Sequence, residues 1–377
     1  MTDNKKICAR CVSDTSIPNI RFDNKGVCNF CKVHDKLEEL YPLDGRGQQR
    51  LNQLIARIKD KGRNKKYDCV IGASGGTDST YCLYIAKKLG LRPLAVHLNN
   101  TWNTNIAMEN MKKTVTKLGI DFREIHCDWE EFRDLQISFL KASVPEAEIP
   151  TDVAIHGILH QAAAEEGVKY VILGHSFRTE GIAPIGWTYM DGKYINSVQK
   201  MFGNTELKSF PNLTISSVFY YTFIKGIKVI PFLNYFKYSK EDSRKILEKE
   251  LDWTYYGGHH FESVYTHFVI VYLLWKKFKI DKRKINFSAH IRSGLMTREQ
   301  ALERLKEEPP VKEGIVEYCI ERLGLTTKDL EDIMALPPKL FYDYPTYYPT
   351  ISAFKFLVKI ACKLNIFSPV LYEKFFG

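Results

Sequence analysis

The sequence predicts an α/β fold built on a doubly wound parallel sheet, and two features carry that prediction. Apolar runs of strand length alternate with helical patterns between Tyr67 and Leu173, and the helices stop at Gly90, Gly119 and Gly167. This alternation is typical of right-handed βαβ units, which place helices on both faces of a sheet. The predicted strands are 67–73, 93–98, 122–126 and 169–173, and the helices between them are 77–89, 105–118, 129–142 and 151–166.

Composition sets the class of protein and of partner. The chain has 377 residues and 45% hydrophobic content, enough for a sizeable core. Its net charge of +10 favours anionic partners such as nucleotides, nucleotide sugars, RNA or a membrane surface. An odd total of nine cysteines and the lack of a signal-peptide pattern predict a cytoplasmic protein, and no apolar run is long enough to span a bilayer.

Four of the cysteines form a metal-binding pattern. Cys8 and Cys11 make one Cys-x-x-Cys pair, and Cys28 and Cys31 make another sixteen residues later. This spacing is typical of a zinc ribbon, in which a closed Cys₄ site stabilises a module too small for its own core. An iron–sulfur cluster and two redox pairs are the alternatives. His34 is expected at the surface.

The loop after the first strand predicts a phosphate-binding site. It has the residues Ser74, Gly75, Gly76, Thr77, Asp78 and Ser79. Glycines allow close backbone approach, and the helix N-terminus that follows offers free amides and a positive dipole end. The hydroxyls can donate further bonds, and Asp78 could hold a phosphate-bound Mg²⁺. The loop is neither a Walker A loop nor a dinucleotide fingerprint. The competing interpretation is an ordinary strand-turn-helix connection.

Further candidate site residues follow other predicted strands or lie in dense polar clusters. The segment after strand 169–173 holds Gly174, His175, Arg178 and Glu180, in which His175 could hydrogen-bond an α-phosphate and Arg178 could neutralise phosphate charge. Its alternative is a loop whose Arg and Glu pair with each other. The remaining candidates are Asn99, the substrate-loop residues His259, His260 and Glu262, and the basic residues Lys282 and Arg283. A solvated charge run is the alternative for the basic residues.

Four regions are predicted along the chain. They are a Cys₄ module at 1–42, a linker and helix at 43–66, an ATP-binding α/β domain at 67–238 and a helical region at 239–377. Near the end, Lys355, Lys359 and Lys363 recur every four residues of an amphipathic helix. That helix could pack on its own domain with a solvated lysine face, or lie on a membrane or partner.

These motifs together resemble bacterial N-acetyl sugar amidotransferases. The loop matches the PP-loop signature of the ATP pyrophosphatase (adenine nucleotide alpha hydrolase-like) superfamily, and motifs in family order run from residue 8 to about 305. The family usually has Lys where this chain has His259. The resemblance implies ATP, Mg²⁺ and zinc as cofactors, and an acetamido group of a nucleotide-linked sugar converted to an acetamidine through an adenylated imidate. It also implies ammonia supplied by partners similar to the glutaminase and cyclase subunits of imidazole-glycerol-phosphate synthase.

Two other functions stay open on the sequence. A tRNA-modifying, thiolating PP-loop enzyme would share the loop, the cysteine module and the positive charge, although we expect no nucleic-acid partner. Sulfur transfer usually needs reactive cysteines near the nucleotide, and only Cys127 lies near a predicted strand end. A non-catalytic adaptor that uses the cysteine module to bind a protein is the third interpretation.

Overall fold

The computed structural model describes residues 5–258, 261–364, 366–367, 372 and 375–376. The strands are β1 Cys69–Gly72, β2 Pro93–Asn99, β3 Asp121–His126, β4 Tyr170–Leu173 and β5 Lys228–Pro231. The helices are α1 Asn29–Leu40, α2 Gly45–Gly62, α3 Thr77–Lys88, α4 Asn105–Leu118, α5 Trp129–Lys141, α6 Ile149–Glu165, α7 Gly192–Phe202, α8 Ile215–Phe219, α9 Lys240–Leu251, α10 Val264–Phe268, α11 Leu274–Lys276, α12 Arg283–Arg292, α13 Arg298–Arg304, α14 Ile315–Leu323, α15 Thr327–Ala335, α16 Tyr348–Ala353 and α17 Lys355–Lys363. One-turn π-helices at Tyr220–Ile224 and Val269–Leu273 extend α8 and join α10 to α11.

All five strands form one parallel sheet in the order β3-β2-β1-β4-β5. The chain builds outward from β1 through β2 to β3, and then returns to place β4 on the other side of β1. Strand order therefore reverses between β1 and β4. In such sheets the crevice outside the carboxyl ends of the two central strands is the usual ligand site.

Helices cover both faces of the sheet, which confirms the predicted fold class. Cys69 and Ile71 of β1 pack with α2 and α3 on one face, whereas Val70 packs with α6 on the other. This alternation follows from the pleat, because successive side chains point to opposite faces. The core on the face of Val70 and α6 continues into the cysteine module and the C-terminal helices, so those regions pack on the sheet. The predicted domain boundaries stay a prediction.

The structure adds one strand that the sequence analysis did not assign. The four predicted strands and the helices between them are present, with ends within two residues of those predicted. The strand β5 pairs with β4 from Tyr170↔Lys228 to Leu173↔Pro231. Its apolar stretch, which follows Gly226, is the signal that could have revealed it.

The environment of His34 corrects the expectation that this residue lies at the surface. The His34 side chain is fully buried. Its ring packs edge-on against Phe177, with centroids 5.0 Å apart, and its Nε2 lies 3.4 Å from Glu38. Burial comes first among the causes that lower the pKa of His34.

In the described part of the chain, every helix is either too short or too polar to cross a bilayer.

Substitution of Gly157, in the middle of α6, tests how tightly the segment 203–214 packs on that helix. A Cβ on Gly157 would lie 2.0 Å from the carbonyl oxygen of Pro211. Alanine favours helix formation, yet we expect Gly157→Ala to destabilise the protein by about 1–3 kcal/mol because of this overlap. Thermal unfolding measures the change.

The matched control is Gly45→Ala at the start of α2, where no atom lies within 4 Å of the added Cβ. It should leave the melting temperature unchanged or slightly raised. A Gly157→Ala protein as stable as this control would contradict the packing.

Candidate active site

A cavity of about 350 Å³ opens at the carboxyl ends of β1 and β4, where the strand order reverses. Its walls come from five parts of the chain: the loops after β1 and β4, the end of β2 with the loop after it, the start of α6, and the region from α9 to α10. The predicted site residues among its lining are Ser74, Gly76, Thr77, Asp78, Ser79, Gly174, His175, Glu180 and Glu262. The topology thus gathers residues that are far apart in sequence into one site.

The loop after β1 is shaped as a tight turn into α3. Gly75 has a φ of +74°, and a Cβ there would lie 2.1 Å from the Ala107 carbonyl oxygen, so only glycine fits. The hydroxyls of Ser74 and Ser79 are 2.9 Å apart, and Ser79 Oγ accepts from the Ser74 amide. Gly76 is the N-cap of α3 and provides no capping side chain. The first turn of α3 can therefore offer amides to an anion.

Asp78 is held by two residues that sequence reasoning missed. Lys240 at the start of α9 places its Nζ 2.9 Å from one carboxylate oxygen, and the Tyr238 hydroxyl bonds the other. Burial raises the pKa of Asp78 to about 6 against the opposing charge of Lys240, and Glu180 adds to the rise. Asp78 and Lys240 thus bring α9 against the phosphate loop.

His175 and Glu180 form the second polar pair of the cavity. Glu180 Oε2 bonds His175 Nδ1, and its other oxygen lies 3.6 Å from Lys240 Nζ. Burial alone would raise the pKa of Glu180, but the charges of His175 and Lys240 bring that pKa well below its usual value. A carboxylate on Nδ1 fixes the orientation of the imidazole.

A third wall carries Glu148, which sequence reasoning also missed. Its Oε2 accepts from Thr266 Oγ1 at 2.6 Å, whereas its buried Oε1 has no hydrogen-bond partner among the described residues. Burial raises the pKa of Glu148 to about 8, the negative charge of Asp152 adds to the rise, and the positive charge of Lys282 opposes it. This carboxyl is therefore largely protonated at neutral pH.

The segment between α9 and α10 lies over the phosphate loop. Trp253 Nε1 donates to the Gly75 carbonyl at 3.0 Å, and the Tyr256 hydroxyl accepts from the Thr77 amide at 3.2 Å. At its other end, Glu262 Oε1 would lie 3.1 Å from a Cβ on Gly76. His259 and His260 of this segment lie outside the described residues, so their predicted substrate role stays a prediction.

Four predicted residues outside the phosphate loop do not line the cavity: Asn99, Arg178, Lys282 and Arg283. Arg178 is buried, pairs with Glu38 and donates to the carbonyls of Tyr41 and Asn234, so its charge is already matched and does not face a phosphate. Arg283 pairs with Asp281. Asn99 bonds Glu124 instead of turning inward, and its neighbour Asn100 lines the cavity. Arg178 and Arg283 therefore have structural contacts where phosphate contacts were expected.

The four cysteines of the N-terminal module form one buried cluster. The Sγ atoms of Cys8, Cys11, Cys28 and Cys31 all lie within 4.8 Å of one another. Three of the separations are 3.6–3.9 Å. Four sulfurs about 2.3 Å from a tetrahedral zinc ion would be about 3.8 Å apart, so the cluster fits that ion. Arg292 of α12 places guanidinium nitrogens 3.2 Å from two of these sulfurs.

Two family models match separate parts of this chain, and both agree with the resemblance to ATP-using enzymes of the PP-loop superfamily. The family described as queuosine biosynthesis protein QueC matches residues 68–158, and the family described as LPS biosynthesis protein WbpG-like, C-terminal domain, matches residues 262–360. Together they confirm the resemblance to PP-loop N-acetyl sugar amidotransferases. The cavity combines both matched segments, with the phosphate loop in the first and Glu262 and Thr266 in the second.

Solved structures give weaker similarities, and no curated protein matches the chain. NMN synthetase from Francisella tularensis is 15% identical over 72% of this chain and all of its own, with a TM-score of 0.31. An NH3-dependent NAD synthetase from Campylobacter jejuni is 14% identical over 71% of this chain and 99% of its own, with a TM-score of 0.31. A predicted subunit of tRNA methyltransferase from Methanocaldococcus jannaschii is 18% identical over 57% of this chain and 92% of its own, with a TM-score of 0.30.

The cysteine cluster predicts one zinc ion per chain. We expect Cys28→Ser to lower the zinc content and the melting temperature together, because the module depends on the metal for its core. Inductively coupled plasma mass spectrometry of the purified protein gives the metal content. Cys127→Ser, at a half-buried cysteine outside the cluster, is the control and should retain the metal. Zinc-free wild-type protein with an unchanged melting temperature would contradict this prediction.

The raised pKa of Glu148 predicts that the stability difference between wild type and a Glu148→Gln variant depends on pH. Its pKa is about 8 in the folded protein and near 4.5 when unfolded, so between these values unfolding releases a proton and stability falls as pH rises. Glu148→Gln removes this titration and can keep the contact with Thr266. We therefore expect the variant to gain stability over wild type from pH 5 to pH 8, measured by thermal unfolding. A stability difference between Glu148→Gln and wild type that stays constant with pH would refute the raised pKa.

Proposed function

We propose that this protein is an ATP-dependent amidotransferase that converts the acetamido group of a nucleotide-linked sugar to an acetamidino group. The observation that carries the proposal is the cavity at the β1/β4 reversal, which combines a phosphate loop with residues of the WbpG-like segment. The LPS description of that segment supports a nucleotide-sugar substrate. The proposed products are the amidine, AMP and pyrophosphate.

ATP would bind with its phosphates on the loop from Ser74 to Ser79. The uncapped start of α3 and the serine hydroxyls offer donors to phosphate oxygens. Lys240 supplies a partly buried cation whose pKa is raised, against the opposing effect of desolvation, by the negative charges of Asp78 and Glu180. These groups would stabilise the charge that develops as the α–β phosphate bond breaks.

The acidic lining of the cavity fits Mg²⁺. Among the residues that the structure describes, the cavity is lined by one lysine, Lys240, and by the carboxylates of Asp78, Asp152, Glu180 and Glu262. Carboxylate oxygens are the ligands that Mg²⁺ prefers. An anionic triphosphate would otherwise meet net negative charge. We propose that Asp78 and a neighbouring carboxylate hold the ion, which when bound would neutralise phosphate charge.

The acetamido oxygen of the sugar would attack the α-phosphate, and pyrophosphate would leave. His175, whose Nδ1 bonds Glu180, would donate a hydrogen bond to the α-phosphate or to the developing oxyanion. The resulting O-adenylated imidate carries AMP as a good leaving group, which an amide oxygen is not. Ammonia then attacks the imidate carbon, AMP departs, and the amine loses a proton to leave the acetamidine.

Ammonia would come from a separate glutaminase, with a cyclase-like partner. This part of the proposal rests on the family resemblance and on the state of the cysteines near the site. Burial raises the pKa of Cys127 to about 12 and that of Cys82 well above its usual value, so neither is a thiolate nucleophile at neutral pH. The same observation argues against the thiolating alternative, which needs a reactive sulfur.

The products of turnover test the proposal. Protein with ATP, Mg²⁺, an acetamido nucleotide sugar and ammonium should release AMP and pyrophosphate, and the sugar product should be about one mass unit lighter because NH replaces O. Coupled pyrophosphate assays and mass spectrometry measure both. Release of ADP instead would refute adenylation.

Asp78→Ala tests the role of the phosphate loop. We expect kcat/KM to fall roughly 100-fold or more, because the variant loses the proposed metal-binding carboxylate and the ion pair of that carboxylate with Lys240. The zinc content should stay at one ion per chain. Glu241→Gln, at an exposed carboxylate next to Lys240, is the matched control and should turn over normally. Equal activity of the two variants would remove Asp78 from the mechanism.

A further inference from the structure

The helix α17 exposes an apolar face to solvent. Helical spacing places Val358 and Cys362 on its inward side, and these are half-buried and buried. On the outward side lie four apolar residues: Phe356, Leu357, Ile360 and Leu364, which are 47–64% exposed. The helix therefore has more apolar surface than its own domain covers.

A second exposed apolar stretch lies next to this face. The helix α8 and the π-turn after it expose Ile215, Phe219, Phe223 and Ile224, with Ile224 65% exposed. The ring centroids of Phe223 and Phe367 are 6.4 Å apart, and the Phe367 N–H donates a hydrogen bond to the Ala361 carbonyl of α17. The two stretches thus form one surface, which we call the apolar–lysine surface.

The charged side chains within these two stretches are all positive. Lys355, Lys359 and Lys363 form a stripe beside the apolar face of α17, and all three are exposed. Lys225 and Lys228 follow the other stretch. The sequence has no Asp or Glu between Glu206 and Glu241, nor between Asp343 and Glu373. A partner for this surface must therefore accept apolar side chains and carry negative charge.

We propose that the apolar–lysine surface docks on an anionic lipid bilayer. Aromatic and aliphatic side chains beside lysines are typical of interfacial helices, in which the apolar groups enter the acyl boundary and the ammonium groups stay at the headgroups. Each lysine near such a membrane gains from its negative surface potential. A mode of binding that lies on the membrane agrees with the absence of a spanning helix in the described part of the chain.

The docking is independent of the cavity, since the apolar–lysine surface shares no residue with its lining. It would hold a soluble catalytic domain at the membrane without blocking access to the nucleotide site. Failure of the membrane proposal therefore leaves the proposed reaction untouched.

Vesicle flotation of the full-length protein tests the proposal. Vesicles of phosphatidylglycerol and phosphatidylcholine at one to three should carry wild-type protein, and 0.5 M salt or vesicles of phosphatidylcholine alone should carry much less. Phe356→Ser with Ile360→Ser should lower the partition coefficient about tenfold. Replacing Lys355, Lys359 and Lys363 by Gln should bring binding down to the level of neutral vesicles.

The control is Leu43→Ser, at a leucine 47% exposed in the segment before α2, and it should bind as wild type does. A fluorescence measurement complements these losses of binding: the tryptophan emission of Phe223→Trp should shift to the blue when anionic vesicles are added, and that of Leu43→Trp should not.

Absence of wild-type binding, or equal binding by the Phe356→Ser, Ile360→Ser protein, would overturn the proposal. So would a dimer in light scattering that this double substitution dissociates, because the surface would then join two copies.

Discussion

The ion pair between Asp78 and Lys240 joins the two halves of this protein. Asp78 lies in the first turn of α3, directly after the phosphate loop, and Lys240 begins α9 after the whole sheet is complete. Both side chains are partly buried, and the pair matters because either charge alone would be costly to remove from water. Docking of the C-terminal region on the sheet therefore also completes the cavity.

The same coupling appears at the cysteine module. Arg292 of α12 contacts the sulfurs of the cluster, and Ser13 of the module contacts Ser288 of the same helix. Hydrogen bonds from a guanidinium to metal-bound thiolates would offset their negative charge and orient them. The cysteine module thus packs on α12 of the C-terminal region, although it lies outside the cavity itself.

Local patterns predicted the sheet, the phosphate loop and the cysteine cluster. Each depends on residues close in sequence: apolar periodicity for the strands, a strand-turn-helix order for the loop, and two Cys-x-x-Cys pairs for the cluster. The partners of Asp78 and Arg178 could not be found in this way. Tyr238 is 160 residues from Asp78, and Glu38 is 140 residues from Arg178, so only the assembled fold shows which charges are matched. From the sequence alone Lys240 is an ordinary lysine at the start of a helix, and only the folded structure shows its ion pair with Asp78.

The most direct test of this account is the position of a bound nucleotide. A crystal structure with a non-hydrolysable ATP analogue and Mg²⁺ should show the phosphates on the loop from Ser74 to Ser79, with Lys240 beside them. A nucleotide bound elsewhere, with that loop free of phosphate, would contradict the assignment of the site and the adenylation chemistry built on it.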